Sequence, residues 1–131
     1  MELDEFDTKT KSNEGAEIEL LSLKTRAKSG VFIKVLGIDS DLFQDLKAQR
    51  SRELMDAVQA RGKDYNPTRE EIDLASCEML AKCTLGWRGL TEGGKEVEFS
   101  YAKAVDLYVK YPRIRDQINA AIADTANFVL G

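Results

Sequence analysis

Few residues in this chain are equipped for chemistry. Histidine is absent, which removes the commonest general base near neutral pH and the commonest metal ligand. Two thiols remain, Cys77 and Cys83, six residues apart within a stretch of helical periodicity. At about 100° per residue they point to different faces and cannot bridge to each other. Their neighbours Met79, Leu80 and Leu85 predict apolar packing of reduced thiols, whereas a nucleophilic cysteine needs a basic neighbour to lower its pKa.

The remaining constellations reduce to structure. Asp39-x-Asp41 opens like a calcium loop, but Gln44 stands where the loop needs glycine and Arg50 where it needs a bidentate glutamate. Gly86-Trp87-Arg88-Gly89 and Gly93-Gly94 lack the strand-glycine-helix context of a phosphate cradle and read as turns. Glu70-Glu71 falls at a helix start, where the aligned peptide dipoles favour negative charge. Tyr101, Tyr108, Tyr111 and Phe128 could stack nucleic-acid bases, and Lys110, Arg113 and Arg115 form a basic cluster, but Asp116 dilutes it and core packing is the favoured reading. No catalytic, cofactor-binding or metal-ligating residue is expected.

Composition narrows the class further. The 131 residues suit one domain, and 32% charged residues with only two prolines suit a helix-rich chain. A formal charge of −4 lacks the basic field that gathers nucleic acid or anionic lipid. No apolar run nears the ~18 residues of a membrane span, and the acidic start does not resemble a secretory signal, so an intracellular, soluble protein is expected.

Residues 1–15 hold five acids against two lysines and predict a flexible acidic tail. Residues 16–38 predict a small hairpin around Lys28-Ser29-Gly30, with Val31–Leu36 as its β-branched arm. Two strands alone are barely stable, so the hairpin must rest on helices or pair with another chain. Helices are expected over 40–61, 68–85, 100–110 and 112–130. Their signals are Ser40 and Ser100 as caps, Gly62 as a stop, the Thr68–Glu71 capping box, Gly86 as a left-handed cap and Pro112 at a first turn. Helix 68–85 is apolar around much of its circumference and is expected to be the central, most buried one. The fold class predicted is mainly α: a compact, all-alpha domain of about four helices over 16–131, with the hairpin and tail appended.

A resemblance enters with the order of several segments: Val35-Leu36-Gly37-Ile38-Asp39-Ser40, Leu85-Gly86-Trp87-Arg88-Gly89, Phe99-Ser100, Leu107 through Ile118, and Ile122-Ala123-Asp124-Thr125-Ala126-Asn127-Phe128. Over roughly residues 31 to 128 the chain resembles the tail assembly chaperones of long-tailed, siphovirus-type bacteriophages. The resemblance implies a non-enzymatic role in viral morphogenesis in the host cell cytoplasm. Such proteins coat the aggregation-prone tape measure protein, recruit tail tube subunits that replace them, and leave the mature virion without them. It also implies self-association, and in many such phages a longer product made by programmed frameshift. A structural virion or connector subunit retained in the particle is the alternative.

Masking a long amphipathic client reversibly favours many modest helix-in-groove contacts over one tight site. A few hundred Å² of apolar burial per subunit, at ~25 cal/mol/Å², gives several kcal/mol before association costs. The candidate contact residues are Leu42, Phe43 and Leu46 of the first helix and Ile122, Phe128, Val129 and Leu130 near the chain end. Filling the monomer core is the competing assignment for each of them.

Overall fold

In a computed structural model that describes residues 1–129, a three-stranded antiparallel sheet carries helices on one face. Strands β1 (Ala16–Leu21), β2 (Lys28–Val35) and β3 (Thr84–Arg88) lie in the order β1-β2-β3. The helices are α1 (Lys9–Glu14), α2 (Asp41–Arg61), α3 (Arg69–Lys82), α4 (Tyr101–Lys110) and α5 (Pro112–Ala123). A second small hairpin, β4 (Thr91–Glu92) with β5 (Lys95–Glu96), follows β3. Helix accounts for 57% and strand for 18%. The fold is therefore mixed α/β, and the expectation of a mainly α, all-alpha domain of about four helices is corrected.

The sheet explains the correction. Alternation along β1 and β2 puts Leu20, Ile33 and Val35 into the core and Glu17, Glu19 and Lys34 on the other face, as a half-buried antiparallel sheet requires. The predicted hairpin forms, although its turn runs through Ser22–Ala27, where Arg26 takes φ 62°, and Lys28-Ser29-Gly30 belongs to β2. The third strand begins in the last two residues of the expected helix 68–85 and runs on through Gly86-Trp87-Arg88, which was read as a turn. Helix α3 stops because the Thr84 hydroxyl donates to the Leu80 carbonyl at 2.9 Å, after which the chain extends and pairs Gly86 with Lys34 and Trp87 with Ile33. Gly86 is thus a strand residue and not a helix cap.

The expected flexible tail is corrected for residues 9–14, which form α1. Asp7 starts the helix by accepting from the Thr10 amide and hydroxyl. Gly15 ends it at φ 91°, a turn that opens β1. Ser12 is buried, and its carbonyl accepts from the Gly37 amide at 3.0 Å. Asn13 accepts from the Asp41 amide at 2.8 Å, and the Thr8 hydroxyl donates to Asp39. These bonds pin α1 to the start of α2.

Helix starts were legible. Ser40, Thr68 and Ser100 each accept from an amide three residues on, at 3.1 Å. Glu71 reaches back to the Thr68 hydroxyl at 3.2 Å. Helix α5 ends at Ala123, short of the predicted 130, because the Asp124 carboxylate accepts from Ala126 and opens a 3-10 turn over Thr125–Phe128.

The core gathers Leu20, Ile33 and Val35 from the sheet, Ala104, Leu107 and Tyr108 from α4, and Ile118, Ile122 and Phe128 from the chain end. Helix α3 contributes Cys77, Leu80 and Ala81 from its last turns, as many buried residues as α4, while its first turns stay at the surface, so its burial is confined to one end and does not run around its circumference as its composition predicted. Tyr108 bonds the Thr84 hydroxyl at 2.8 Å inside the core, which satisfies a group that would otherwise be costly to bury.

On the open face of the sheet, Arg88 donates to Glu17 at 2.8 Å and lies 3.8 Å from the Phe32 ring centre, clamping β1 to β3 across β2. The Arg88 hydrogen bond holds the Glu17 carboxyl below its ordinary 4.5. The folded state therefore prefers the ionised form, so the pair stabilises above about pH 4.5 and the contribution fades as pH falls through the lowered pKa. In urea titrations from pH 7 to 3, the stability gap between wild type and Glu17→Gln should shrink toward acid. A gap that stays constant or widens would contradict the pairing.

Candidate protein-docking surface

Helix α2 is the anomaly of the fold. It has 21 residues and buries none of them, although a helix about 31 Å long ordinarily turns an apolar stripe into the core. Phe43, Leu46, Arg50, Leu54 and Ala57 recur at helical spacing and are half-buried. They form the inner side, and Phe43 alone among them packs against the core. Between α2 and α3 lies a shallow, largely polar cleft of about 180 Å³, lined by Leu46, Arg50 and Glu53 facing Ala75, Glu78 and Met79. The outer side carries Met55 and Val58, which are 64% and 49% exposed. Ile72 of α3 is exposed as well. Together α2 and the first half of α3 make an arm whose apolar groups have partial cover at best.

A second apolar surface runs along the other side of the molecule. One trough of about 720 Å³ lies between α4 and the β4–β5 hairpin and includes Leu74, Val97, Val105 and Val109. The hairpin is held there by the Trp87 indole, which donates to the Val97 carbonyl at 2.8 Å and meets the Phe99 ring edge-on at 4.9 Å. Gly93 and Gly94, at φ 60° and 81°, supply the turn between β4 and β5. Leu90, Tyr111 and Ile114 continue this trough into a groove beside β1 and β2.

Chemistry-bearing groups are withdrawn from these surfaces. Both cysteines are buried, and burial pushes the Cys83 thiol up to about 11, far from the thiolate a nucleophile needs. The Arg115 guanidinium lies 3.7 Å from the Cys77 sulfur, a polar contact that the apolar neighbours of Cys77 in sequence did not suggest. Among the described residues no cluster of three or more carboxylate or thiol groups could hold a metal ion, and no helix is long and apolar enough to cross a membrane.

No protein-family model, curated protein or solved structure matches this chain. Functional inference therefore rests on its residues and geometry.

The predicted contact residues divide. Ile122 and Phe128 lie in the core, 2% and 1% exposed, and are corrected from contact residues to core residues. Their stripe faces inward because α5 packs on β1 and the turn after it packs on α1. Phe43 and Leu46 are half-buried on the inner side of α2, while Leu42 and Val129 are exposed. Leu130 lies outside the described residues. The exposed Met55, Val58, Ile72 and Leu74 were not among the predicted contact residues. The signal that could have found them was the crowding of Leu54, Met55, Ala57 and Val58 into one turn, since a single stripe cannot bury four neighbours.

Proposed function

We propose that this chain is a tail assembly chaperone of a long-tailed bacteriophage. In this role it coats the tape measure protein in the host cytoplasm, keeps it soluble, and gives way to tail tube subunits. The observation that carries the reading is a 21-residue helix with no buried residue, in a chain whose ordered segments resemble that family. A monomer that gained nothing from a partner would not keep Met55, Val58 and Ile72 at the surface of one arm. Each subunit offers a modest apolar area, so binding is weak per subunit and accumulates along a repetitive amphipathic client. The mixed charges of α2, Asp41, Asp45, Glu53 and Asp56 against Lys47, Arg50, Arg52 and Arg61, keep the free arm soluble and suit a client of mixed charge.

The test is co-expression with the tape measure protein of the same phage. Wild type should keep the client in the soluble fraction. The double variant Met55→Asp/Val58→Asp should lose most of that effect while its own stability falls by no more than about 1 kcal/mol, because neither side chain supports the core. A client that precipitates equally with and without the chain would overturn the proposal, as would a double variant that works as well as wild type. Stoichiometric recovery of the chain from finished virions would replace it with the structural-subunit reading.

A further inference from the structure

We propose that the groove beside the start of α5 is a binding site for a free long-chain carboxylate, with the alkyl chain along the groove and the carboxylate on Lys110 and Arg113. The site uses neither the α2 arm nor a protein client, so its failure would leave the tape-measure reading untouched.

The groove lies between the start of α5 and the β1–β2 hairpin. Its volume is about 420 Å³, within the ~300–1,000 Å³ range of ligand clefts. Leu21, Leu23, Val31, Leu90, Pro112 and Ile114 make its lining almost wholly apolar. Leu21 and Leu23 are 46% and 69% exposed, which leaves an apolar wall that gains by being covered.

The polar groups of the lining decide what covers it. Ser29 and Gln117 are engaged with backbone. The Ser29 hydroxyl donates to the Leu20 carbonyl at 2.6 Å and accepts from the Val31 amide at 3.1 Å. The Gln117 side chain accepts from the Leu21 amide at 2.7 Å and donates to the Leu21 carbonyl at 3.2 Å. Walls of this kind return few hydrogen bonds, so a sugar or a polar peptide would lose its bonds to water without replacement. An alkyl chain has none to lose.

Charge sets the head group. Lys110 and Arg113 are the charged side chains that line the groove, and both are basic. Lys110 makes no ion pair among the described residues. Arg113 pairs with Asp116 at 2.7 Å, but both are exposed and the guanidinium retains donors for a second carboxylate. Helix α5 starts at Tyr111 with no side-chain cap and no acid in its first turn, so the positive end of its peptide dipoles adds to the same field. The adjoining trough along α4 is less suited to an anion, because Glu92 and Asp106 line it. The head therefore belongs at Lys110 and Arg113, and the chain among Leu21, Leu23 and Val31.

The experiment is calorimetric titration of the full chain with octanoate, decanoate and dodecanoate, each below its micelle concentration, at pH 8 where they are ionised. One molecule should bind per chain, and affinity should climb with each methylene toward the ~4-fold expected for complete burial. Decyltrimethylammonium, with a similar tail and the opposite charge, should bind far more weakly than decanoate. Lys110→Gln/Arg113→Gln should weaken dodecanoate at least ~10-fold and erase the preference for the anion. Leu21→Ser/Leu23→Ser should flatten the dependence on chain length, with circular dichroism unchanged in both variants. Vesicles of phosphatidylglycerol should leave the chain in the supernatant. The proposal is overturned by dodecanoate that does not bind or binds in several copies per chain, by affinity indifferent to chain length or to head-group charge, or by variants that bind as wild type does. Capture by the vesicles would make the groove part of a membrane-binding face and overturn it equally.

Discussion

Gly37→Ala should destabilise the protein by about 3 kcal/mol, at the upper end of the cost of overpacking. The position does not need glycine for its backbone angles, since Gly37 is not among the residues at positive φ. It needs the absence of a Cβ. A methyl group there would sit 2.3 Å from the Ser12 hydroxyl oxygen, 2.8 Å from the Ser12 Cβ and 2.9 Å from a Phe128 ring carbon. None of the three can step aside easily, because Ser12 is in the middle of α1 and Phe128 is in the core. The Gly37 amide also holds the Ser12 carbonyl at 3.0 Å, so moving α1 outward would break that bond as well. Urea unfolding should show a lower midpoint with an unchanged slope, the signature of lost stability without a change in exposed area. Ser12→Ala is the matched control. The Ser12 hydroxyl is buried with no hydrogen-bond partner among the described residues, so its removal should be near neutral alone and should restore part of the loss in the double variant. If Gly37→Ala were as stable as wild type, the close approach of α1 would be wrong.

That contact also marks the limit of what the sequence revealed. Elements announced by local chemistry were legible: Ser40, Thr68 and Ser100 bond amides three residues away, and such bonds need nothing beyond one turn of chain. Strand β2 was legible because Val31, Phe32, Ile33 and Val35 prefer extended backbone. Strand β3 was not, because Thr84-Leu85-Gly86-Trp87-Arg88 acquires its conformation from pairing with β2, about fifty residues earlier. Helix α1 failed in the same way. Lys9–Glu14 is short and polar, its helix would be marginal in isolation, and bonds to Gly37, Asp39 and Asp41 together with the Thr125–Phe128 turn hold it in place.

The docking surface was half legible for a related reason. Periodicity states which residues share a stripe but not whether anything covers it. Phe43 and Ile122 sit on equally plausible apolar stripes, yet one is half-buried on an arm and the other is sealed in the core. The difference lies in the sheet, whose one face is filled by α3, α4, α5 and the chain end, leaving α2 nothing to lie on. An arm left over after the core is complete could not be foreseen while the sheet itself was missed.

Phe128→Ala should have the largest effect of any single truncation near the chain end, about 3–5 kcal/mol. The ring is 1% exposed and touches the place where three pieces meet: the Gly37 bend, α1 and the last turn of α5. Around it the Ile38 amide donates to the Ile122 carbonyl at 3.2 Å and the Asn127 side chain donates to the Ala121 carbonyl at 3.0 Å. Removing the ring leaves a cavity that these bonds keep from collapsing, which places the cost toward the top of the range for aromatic truncation. Against a typical stability of ~5–15 kcal/mol, a substantial part of the margin would go. The loss should be local first: hydrogen exchange should accelerate at the Ser12, Gly15 and Gly37 amides before those of β2, because α1 packs against the turn that carries the ring. The same variant separates the two assignments for Phe128. A core residue lowers the unfolding midpoint, and the Met55/Val58 arm keeps its effect on the client under conditions where the variant is folded. A contact residue would leave the midpoint unchanged and abolish client solubility, and that outcome would return Phe128 to the surface and overturn the packing described for the chain end.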